Sequence, residues 1–550
     1  MDSANPQSRT IEIYDTTLRD GSQGEGISYS VEDKIRIARR LDEFGMDYIE
    51  GGWPGSNPKD QTFFDRMKTV TLHHARLAAF GSTRRAGIRA EDDTQLQMLV
   101  DAQTPVVTIF GKTWEEHVRF ALRTTPEENL AMIEDSVAFL HNHVPTVIYD
   151  AEHFFDGYKA NREYALDCLR AAQRGGASRL VLCDTNGGTL PHEMAHIVRD
   201  VRQAFPDVLL GIHTHNDAEC AVANALAAVQ EGVTQVQGTV NGYGERCGNC
   251  NLLPMIASLR LKLGYDCLLP DSLQHLTGLS QYVDEIANLT PDTRRAYVGR
   301  SAFAHKGGVH ADAVLKGASY EHIDPEAVGN SRRLLVSELA GGSSIAGKAA
   351  EYGFDLNRKS PQTRALLAAI TEREHEGYSY EGAEGSFELL LMRSVGTYRE
   401  MFDLKGFRCI VERRGEDKEP ITEATVKIVV DGEERLTVAE GDGPVHALDG
   451  ALRRALLEFY PELQHIKLTD FKVRVVNTRE GTAAKVRVII DSTDGEQSWS
   501  TVGVSTNVIE ASWYALLDSV VYGLLRRQAV LDALLPGRDL AAKTEVTAQT

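Results

Sequence analysis

Seven cysteines in 550 residues are too few and too scattered to build a disulfide framework. Their odd number, with no basic-then-apolar leader in the opening MDSANPQSRT, predicts reduced thiols and a cytoplasmic location. Cys247 and Cys250 form a C-x-x-C, but no second such pair completes a zinc site, so the spacing reads as coincidence. No unbroken run approaches the ~18 apolar residues of a membrane span. Positive charge is in deficit, with 59 Lys and Arg against 79 Asp and Glu and a formal net charge of −20. That balance argues against nucleic-acid or anionic-membrane partners, and an anionic substrate would need a local positive site. Core-forming material is not lacking: 42% of residues are apolar, and the length exceeds one ordinary core, so two or three folding units are expected.

The first half contains a regular alternation. Eight short apolar or β-branched runs begin at Ile11, Asp47, Arg76, Pro105, Thr146, Arg179, Val208 and Thr234, each followed by a stretch of helical period. In VEDKIRIARRLDEFG, Ile35, Ala38, Leu41 and Phe44 fall near one helical stripe and Gly45 supplies the stop. Eight strand-then-helix units match an α/β fold of the (β/α)8 TIM-barrel type over 1–275. A doubly wound open sheet is the competing architecture.

A barrel places its chemistry just after the strands. Arg19 and Asp20 follow the first run, Glu50 the second, YDAEHFFD the fifth, DTNGG the sixth, HTHND the seventh and NGYGERCGN the eighth. Polar groups this dense at strand ends point to a shared ligand, because a buried polar atom without a partner costs about 2 kcal/mol or more. His213 and His215, two apart on an extended strand, point to one face and can reach one cation. Asp20 adds a carboxylate and Asn249 an oxygen, leaving coordination positions open. Mundane roles compete: a helix N-cap or surface ion pair for Asp20, a turn beside Gly248 for Asn249. The donor set suits Mg2+, Mn2+ or Zn2+ without choosing among them. Such an ion would polarise a 2-oxo acid, with Arg19 facing the developing alkoxide. The glycines of NGYGERCGN lack dinucleotide-loop spacing and are read as permitting close backbone approach.

Together DTTLRDGSQ, HTHND, GYGERCGN and FAHKGGVHADAVLK resemble the metal-dependent Claisen-condensing acyltransferases, the isopropylmalate, homocitrate and citramalate synthase family, over nearly the whole chain. The resemblance implies a (β/α)8 barrel, a divalent metal and acetyl-CoA as donor. It implies Asp20, His213, His215 and Asn249 as metal positions and Arg19 as the catalytic arginine, with Gln23, Glu152 and Thr185 near substrate. Glu50 joins the substrate group as a strand-end carboxylate. Glu152 is read either as the base for the acetyl methyl or as the partner that orients Arg19. His310 and Tyr320 match positions that in the family enter the neighbouring subunit's active site, which implies a homodimer.

EGGWPGSNPKD from Glu50 and YEHIDPEAVGNSRRLLVSEL from Tyr320 look most like the branch that joins pyruvate to acetyl-CoA on an isoleucine route. Siblings using 2-oxoisovalerate or 2-oxoglutarate, a carbon–carbon lyase and a non-catalytic amino-acid sensor are the alternatives. Trp53, with Phe80 and Phe110, would shrink the pocket to fit a methyl group, unless these aromatics simply cap the barrel core.

Residues 276–399 read as a helical connector, with AGGSSIAGKAAEYG its most glycine-punctuated part, and 400–540 as an α+β unit. That unit carries a D-G hairpin signal at Asp431-Gly432 and strands followed by a helix twice over, a weak internal repeat. In its last helix Ile509, Trp513, Leu516, Val520 and Leu524 approximate one face. It resembles the family's allosteric domain, which implies an end-product amino acid, isoleucine, as effector across a dimer contact; a plain dimerisation domain is the alternative.

Overall fold

The computed structural model describes residues 10–305, 320–334, 349, 354, 356–357, 360–380, 382–413, 419–476 and 484–534. The chain divides into two compact units, Met1–Phe303 with Glu321–Arg332, and Ala304–Tyr320 with Arg333–Thr550.

In the first unit eight parallel strands close into a barrel in chain order. They are β1 (Glu12–Asp15), β2 (Tyr48–Gly52), β3 (Arg76–Ser82), β4 (Val106–Lys112), β5 (Thr146–Glu152), β6 (Arg179–Asp184), β7 (Leu210–Thr214) and β8 (Gln235–Gly238). Each falls within or overlaps one expected run, and β1 closes on β8 with Glu12 to Asp15 paired against Gln235 to Gly238. Closure removes the edges of the competing open sheet. Alternation along the strands sets the two cores: Tyr14, Tyr48, Ala78, Val106, Ile148 and Val181 fill the interior, while Ile13, Ile49, Ala79, Val107 and Val147 pack outward against helices.

The helix Val31–Phe44 illustrates the local logic. Ser30 and Asp33 form a capping box, Gly45 ends the helix at φ 94°, and Ile35, Ala38, Leu41 and Phe44 are its buried stripe. Residues 276–303, which the sequence reading begins as a connector, belong to the first unit, with Leu276, Leu279 and Val283 in its core.

The second unit holds two three-stranded antiparallel sheets, Asp403–Glu412 with Ile421–Val430 and Glu433–Gly441, and Lys467–Val475 with Val486–Thr493 and Ser498–Ser505. Helices Pro444–Leu456 and Val508–Leu534 follow them, so the expected repeat is present. Asp431 and Gly432, both at positive φ, form the hairpin turn. Strand Asp403–Glu412 is absent from the sequence reading because its side chains are nearly all exposed or half-buried and give no clean period-two signal. AGGSSIAGKAAEYG lies, apart from Ala349, outside the described residues.

Val508–Arg527 is long and apolar enough by composition to cross a membrane, with a mean hydropathy of 1.3. Glu510 and Asp518 break any continuous apolar run, which hides the stretch from a run-length reading. Trp513, Leu516, Val520 and Leu524 are buried in the unit's core with Leu448 and Leu452, and Ile509 sits at its margin.

Candidate active site

After β1 the chain turns sharply, and Asp15 fixes the turn by accepting from the Thr17 N–H and hydroxyl, both at 2.9 Å. The Thr17 hydroxyl in turn accepts from the Val240 N–H, tying the first strand end to the eighth. This loop delivers Arg19. Its Nε donates to Glu50 Oε2 at 2.6 Å, its guanidinium lies 3.7 Å from the centre of the Phe80 ring, and Asp20 is 3.3 Å away. Burial opposes the charge on Arg19, but Asp20 and then Glu50 outweigh it and hold the guanidinium firmly protonated.

Two expectations are corrected here. Glu50 is fully buried and is not among the residues lining the cavity at the strand ends; it also accepts from the hydroxyls of Thr16 (2.5 Å) and Tyr14 (2.7 Å). Its position mid-strand on β2 places it beneath Arg19, so it is the carboxylate that orients the arginine. Glu152, offered that role as one alternative, instead pairs with Lys112 at the neighbouring strand end.

Asp20, His213 and His215 are buried and offer ligand atoms that all lie within 4.8 Å of one another. His213 Nε2 is 3.2 Å from both Asp20 Oδ2 and His215 Nε2, and His215 Nε2 is 3.9 Å from the same carboxylate oxygen. His213 on β7 and His215, one residue past its end in an extended bridge to Asn249, therefore keep the i, i+2 spacing that puts both imidazoles on one face. Asn249 joins them through Nδ2, which donates to Asp20 Oδ2 at 2.8 Å, leaving its Oδ1 buried without a partner. Gly244 makes this possible: a Cβ there would fall 1.8 Å from Asn249 Oδ1.

Burial works against the Asp20 carboxylate, yet Arg19 and then His213 hold it well below the usual range. His213 is raised, because Asp20 overcomes burial, while burial and the neighbouring His213 push His215 down to about 3. Behind the cluster, His213 Nδ1 meets Gln237 Oε1 at 2.9 Å and Gln237 donates to Asp150. Such a backing partner fixes an imidazole's orientation.

Arg19, Asp20, both histidines and Gln23 open onto a cavity of about 230 Å3, whose wall includes Thr185 and Glu152. Its aromatic side is Trp53, edge-on to Phe80 and Phe110 at 6.0 and 5.8 Å, with the indole N–H donating to Gln95 Oε1 at 2.9 Å. Arg246 also lines it, anchored on Asp217 and on the Thr185 carbonyl. The sequence reading quotes the segments holding Asp150 and Arg246 without assigning either residue; their signal was position at a strand end. Gln237 and Lys112 had none beyond lying in or near a strand. Tyr320 is 54% exposed and belongs to the second unit. His310 lies outside the described residues.

Fold and site together define a (β/α)8 barrel with a buried arginine beside a two-histidine, one-carboxylate cluster at its strand ends. Residues 10–283 match the HMGL-like family, 297–376 the homocitrate synthase post-HMGL domain-like family, and 381–524 the LeuA allosteric (dimerisation) domain. The chain is 55% identical over 517 residues to the (R)-citramalate synthase of Aquifex aeolicus (strain VF5), spanning 94% of this chain and 98% of that one. It is also 55% identical over 521 residues to the (R)-citramalate synthase of Geobacter sulfurreducens, again 94% and 98%. A probable 2-isopropylmalate synthase of Methanopyrus kandleri is 32% identical over 512 residues, 93% and 97% of the two chains. The chain belongs to the isopropylmalate and homocitrate synthase family.

Proposed function

We infer that the protein is an acyltransferase that condenses acetyl-CoA with pyruvate and, with water, gives (R)-citramalate and CoA. The observation that carries this is the end-to-end identity of 55% with (R)-citramalate synthases, against 32% with a 2-isopropylmalate synthase.

The donors fit a divalent cation: two imidazoles and a carboxylate converge, and the orphaned Asn249 oxygen would come within reach if the amide turned. Asp20, His213, His215 and Asn249 would hold that ion. When bound it supplies Lewis-acid polarisation of the acceptor carbonyl. Arg19, clamped by Glu50 and stacked on Phe80, presents a fixed charge to the oxygen that becomes negative as the carbon–carbon bond forms, without reorganising. Glu152, held by Lys112 on the cavity wall, takes the proton from the acetyl methyl. The resulting carbanion attacks the keto carbon, and water then cleaves the thioester to release CoA. Gln23 and Thr185 contact substrate, and the Trp53, Phe80 and Phe110 wall leaves room for a methyl group.

The protein works as a homodimer in the cytoplasm, with His310 and Tyr320 serving the neighbouring subunit's site and isoleucine acting on the C-terminal unit. The LeuA-type match over 381–524 supports the pairing and the control.

A thiol-release assay over a panel of 2-oxo acids, with and without chelator and branched-chain amino acids, tests the reading. Pyruvate-dependent, chelator-sensitive CoA release is expected; a response confined to 2-oxoisovalerate or 2-oxoglutarate refutes the acceptor. Mixing inactive Arg19→Ala and His310→Ala chains should restore activity, and failure to do so refutes the shared site.

A further inference from the structure

The three rings of the cavity wall are held in different ways. Phe80 on β3 and Phe110 on β4 stack on each other with centroids 5.6 Å apart, so the barrel strands themselves place them. Trp53 lies one residue beyond β2, in the loop that leads to helix Pro58–Met67, and its position depends on the bonds made to it there.

The main-chain end of Trp53 is fixed by a buried ion pair. Lys34, on helix Val31–Phe44, is 1% exposed, and its Nζ donates to the Gly51 carbonyl at 3.1 Å and to Asp60 Oδ1 at 2.5 Å. Asp60 Oδ2 accepts in turn from the Trp53 N–H at 3.0 Å. Gly52 permits this approach, because at its φ of 149° a Cβ would fall 2.6 Å from the Asp60 carboxylate. A buried charge left without its partner is strongly unfavourable, so this end of the residue is rigid.

The indole end rests on one bond. An indole N–H is a donor only, and that of Trp53 donates to Gln95 Oε1 at 2.9 Å, while Gln95 Nε2 donates to the Gly55 carbonyl at 3.3 Å. Gln95 stands in the first turn of helix Thr94–Asp101, after β3, where the Asp93 carboxylate accepts from its N–H at 2.8 Å. Gly55 leaves room for the amide: a Cβ there would fall 2.4 Å from Gln95 Oε1. Gln95 is not among the residues lining the cavity, and the reaction described above does not use it. With the main chain fixed, loss of its bond leaves the Trp53 ring free to turn about its own side-chain torsions, away from Phe80 and Phe110, and to widen the wall.

We propose that Gln95 is a positioning residue that sets acceptor size: by holding the Trp53 indole edge-on to Phe80 and Phe110 it limits the 2-oxo acid to a methyl substituent. The proposal rests on the cavity being the acceptor's site. One methylene in an apolar pocket changes kcat/KM about tenfold or more, and Gln95 secures that discrimination without touching the substrate.

Steady-state kinetics of the full-length protein with pyruvate and 2-oxobutyrate, read as the ratio of their kcat/KM values, test this. Gln95→Leu should raise 2-oxobutyrate relative to pyruvate about tenfold, through KM, while kcat for pyruvate holds because Arg19 keeps its place on Phe80. Gln95→Glu retains an oxygen for the indole N–H and should return the ratio to that of the wild type. Gly55→Ala, which displaces the Gln95 amide without altering either partner, should reproduce the shift. Trp53→Phe has no N–H to donate, so adding Gln95→Leu to it should move the ratio no further. A wild-type ratio in Gln95→Leu, equal shifts in the Leu and Glu variants, or effects that multiply in full in the double variant overturn the assignment. A wild-type chain that releases no CoA with pyruvate strikes the reaction itself, whereas an active wild type with an unaltered ratio in Gln95→Leu strikes only this positioning role.

Discussion

Replacing Glu50 separates the support of Arg19 from its chemistry. Glu50 is fully buried and receives three hydrogen bonds, from Arg19, Thr16 and Tyr14. In Glu50→Ala the guanidinium keeps only Asp20, 3.3 Å away, and breaking a buried pair in this way costs about 3–5 kcal/mol. Glu50→Gln is gentler. Its amide oxygen still accepts from Arg19, and the Tyr14 hydroxyl can turn toward Thr108 Oγ1 at 2.8 Å and accept from the amide nitrogen. The loss is then the difference between a charged and a neutral acceptor, about 1 kcal/mol. A guanidinium displaced by about 1 Å costs on the order of 100-fold in rate, so the kcat of Glu50→Ala should fall at least that far while KM for acetyl-CoA stays close to wild type. Urea denaturation and thiol-release kinetics measure both quantities on the same preparations. Wild-type kcat in Glu50→Ala, or equal destabilisation by Ala and Gln, refutes the clamp.

Two further outcomes follow from neighbouring groups. Phe110→Ala should shift preference from pyruvate toward 2-oxobutyrate by about tenfold or more, whereas Phe80→Ala should also lower kcat because Arg19 stacks on that ring at 3.7 Å; a Phe80→Ala chain with intact kcat removes that coupling. Burial pushes the Asp15 carboxyl up to about 7 against the hydrogen bonds from Thr17. The unfolded value is about 3.9, so between about pH 4 and 7 the native state binds more protons and stability falls as pH rises. Asp15→Asn should flatten the pH slope of urea stability by up to about 1.4 kcal/mol per pH unit, and an unchanged slope refutes the buried-acid account.

What the sequence made legible was whatever period or local spacing could carry. The eight strands announced themselves through alternation with helical stripes, and His213 with His215 through the two-residue repeat of a strand. The Asp431-Gly432 turn was legible because two successive positive φ values demand such residues. Contacts between distant segments left no such trace. In the sequence Glu50 and Glu152 both read as carboxylates near strand ends, and only the closed barrel decides that Glu50 lies mid-strand under Arg19 while Glu152 meets Lys112. Gln237 likewise looks like an ordinary strand residue until β7 and β8 pair and set it behind His213.

The charge balance at the cavity mouth favours a cation arriving before an anionic acceptor. Arg19 brings one positive charge, but Asp20 and Glu50 bring two negative ones; Lys112 cancels Glu152, and Asp217 cancels Arg246. A proton on His213, which Asp20 favours against burial, brings the mouth only to neutrality, and any ionised fraction of Asp150 makes it negative again. A 2-oxo acid anion approaching to about 4 Å of one uncompensated charge meets about 4 kcal/mol of repulsion at an effective dielectric near 20. A divalent ion held by Asp20, His213 and His215 would reverse the sign and leave about one net positive charge for a monoanion. Chelator-treated protein should therefore bind pyruvate too weakly to detect, and restoring the cation should restore binding even with acetyl-CoA absent. Equal pyruvate affinity in stripped and loaded protein would mean that Arg19 alone holds the acceptor, and the charge count would be wrong.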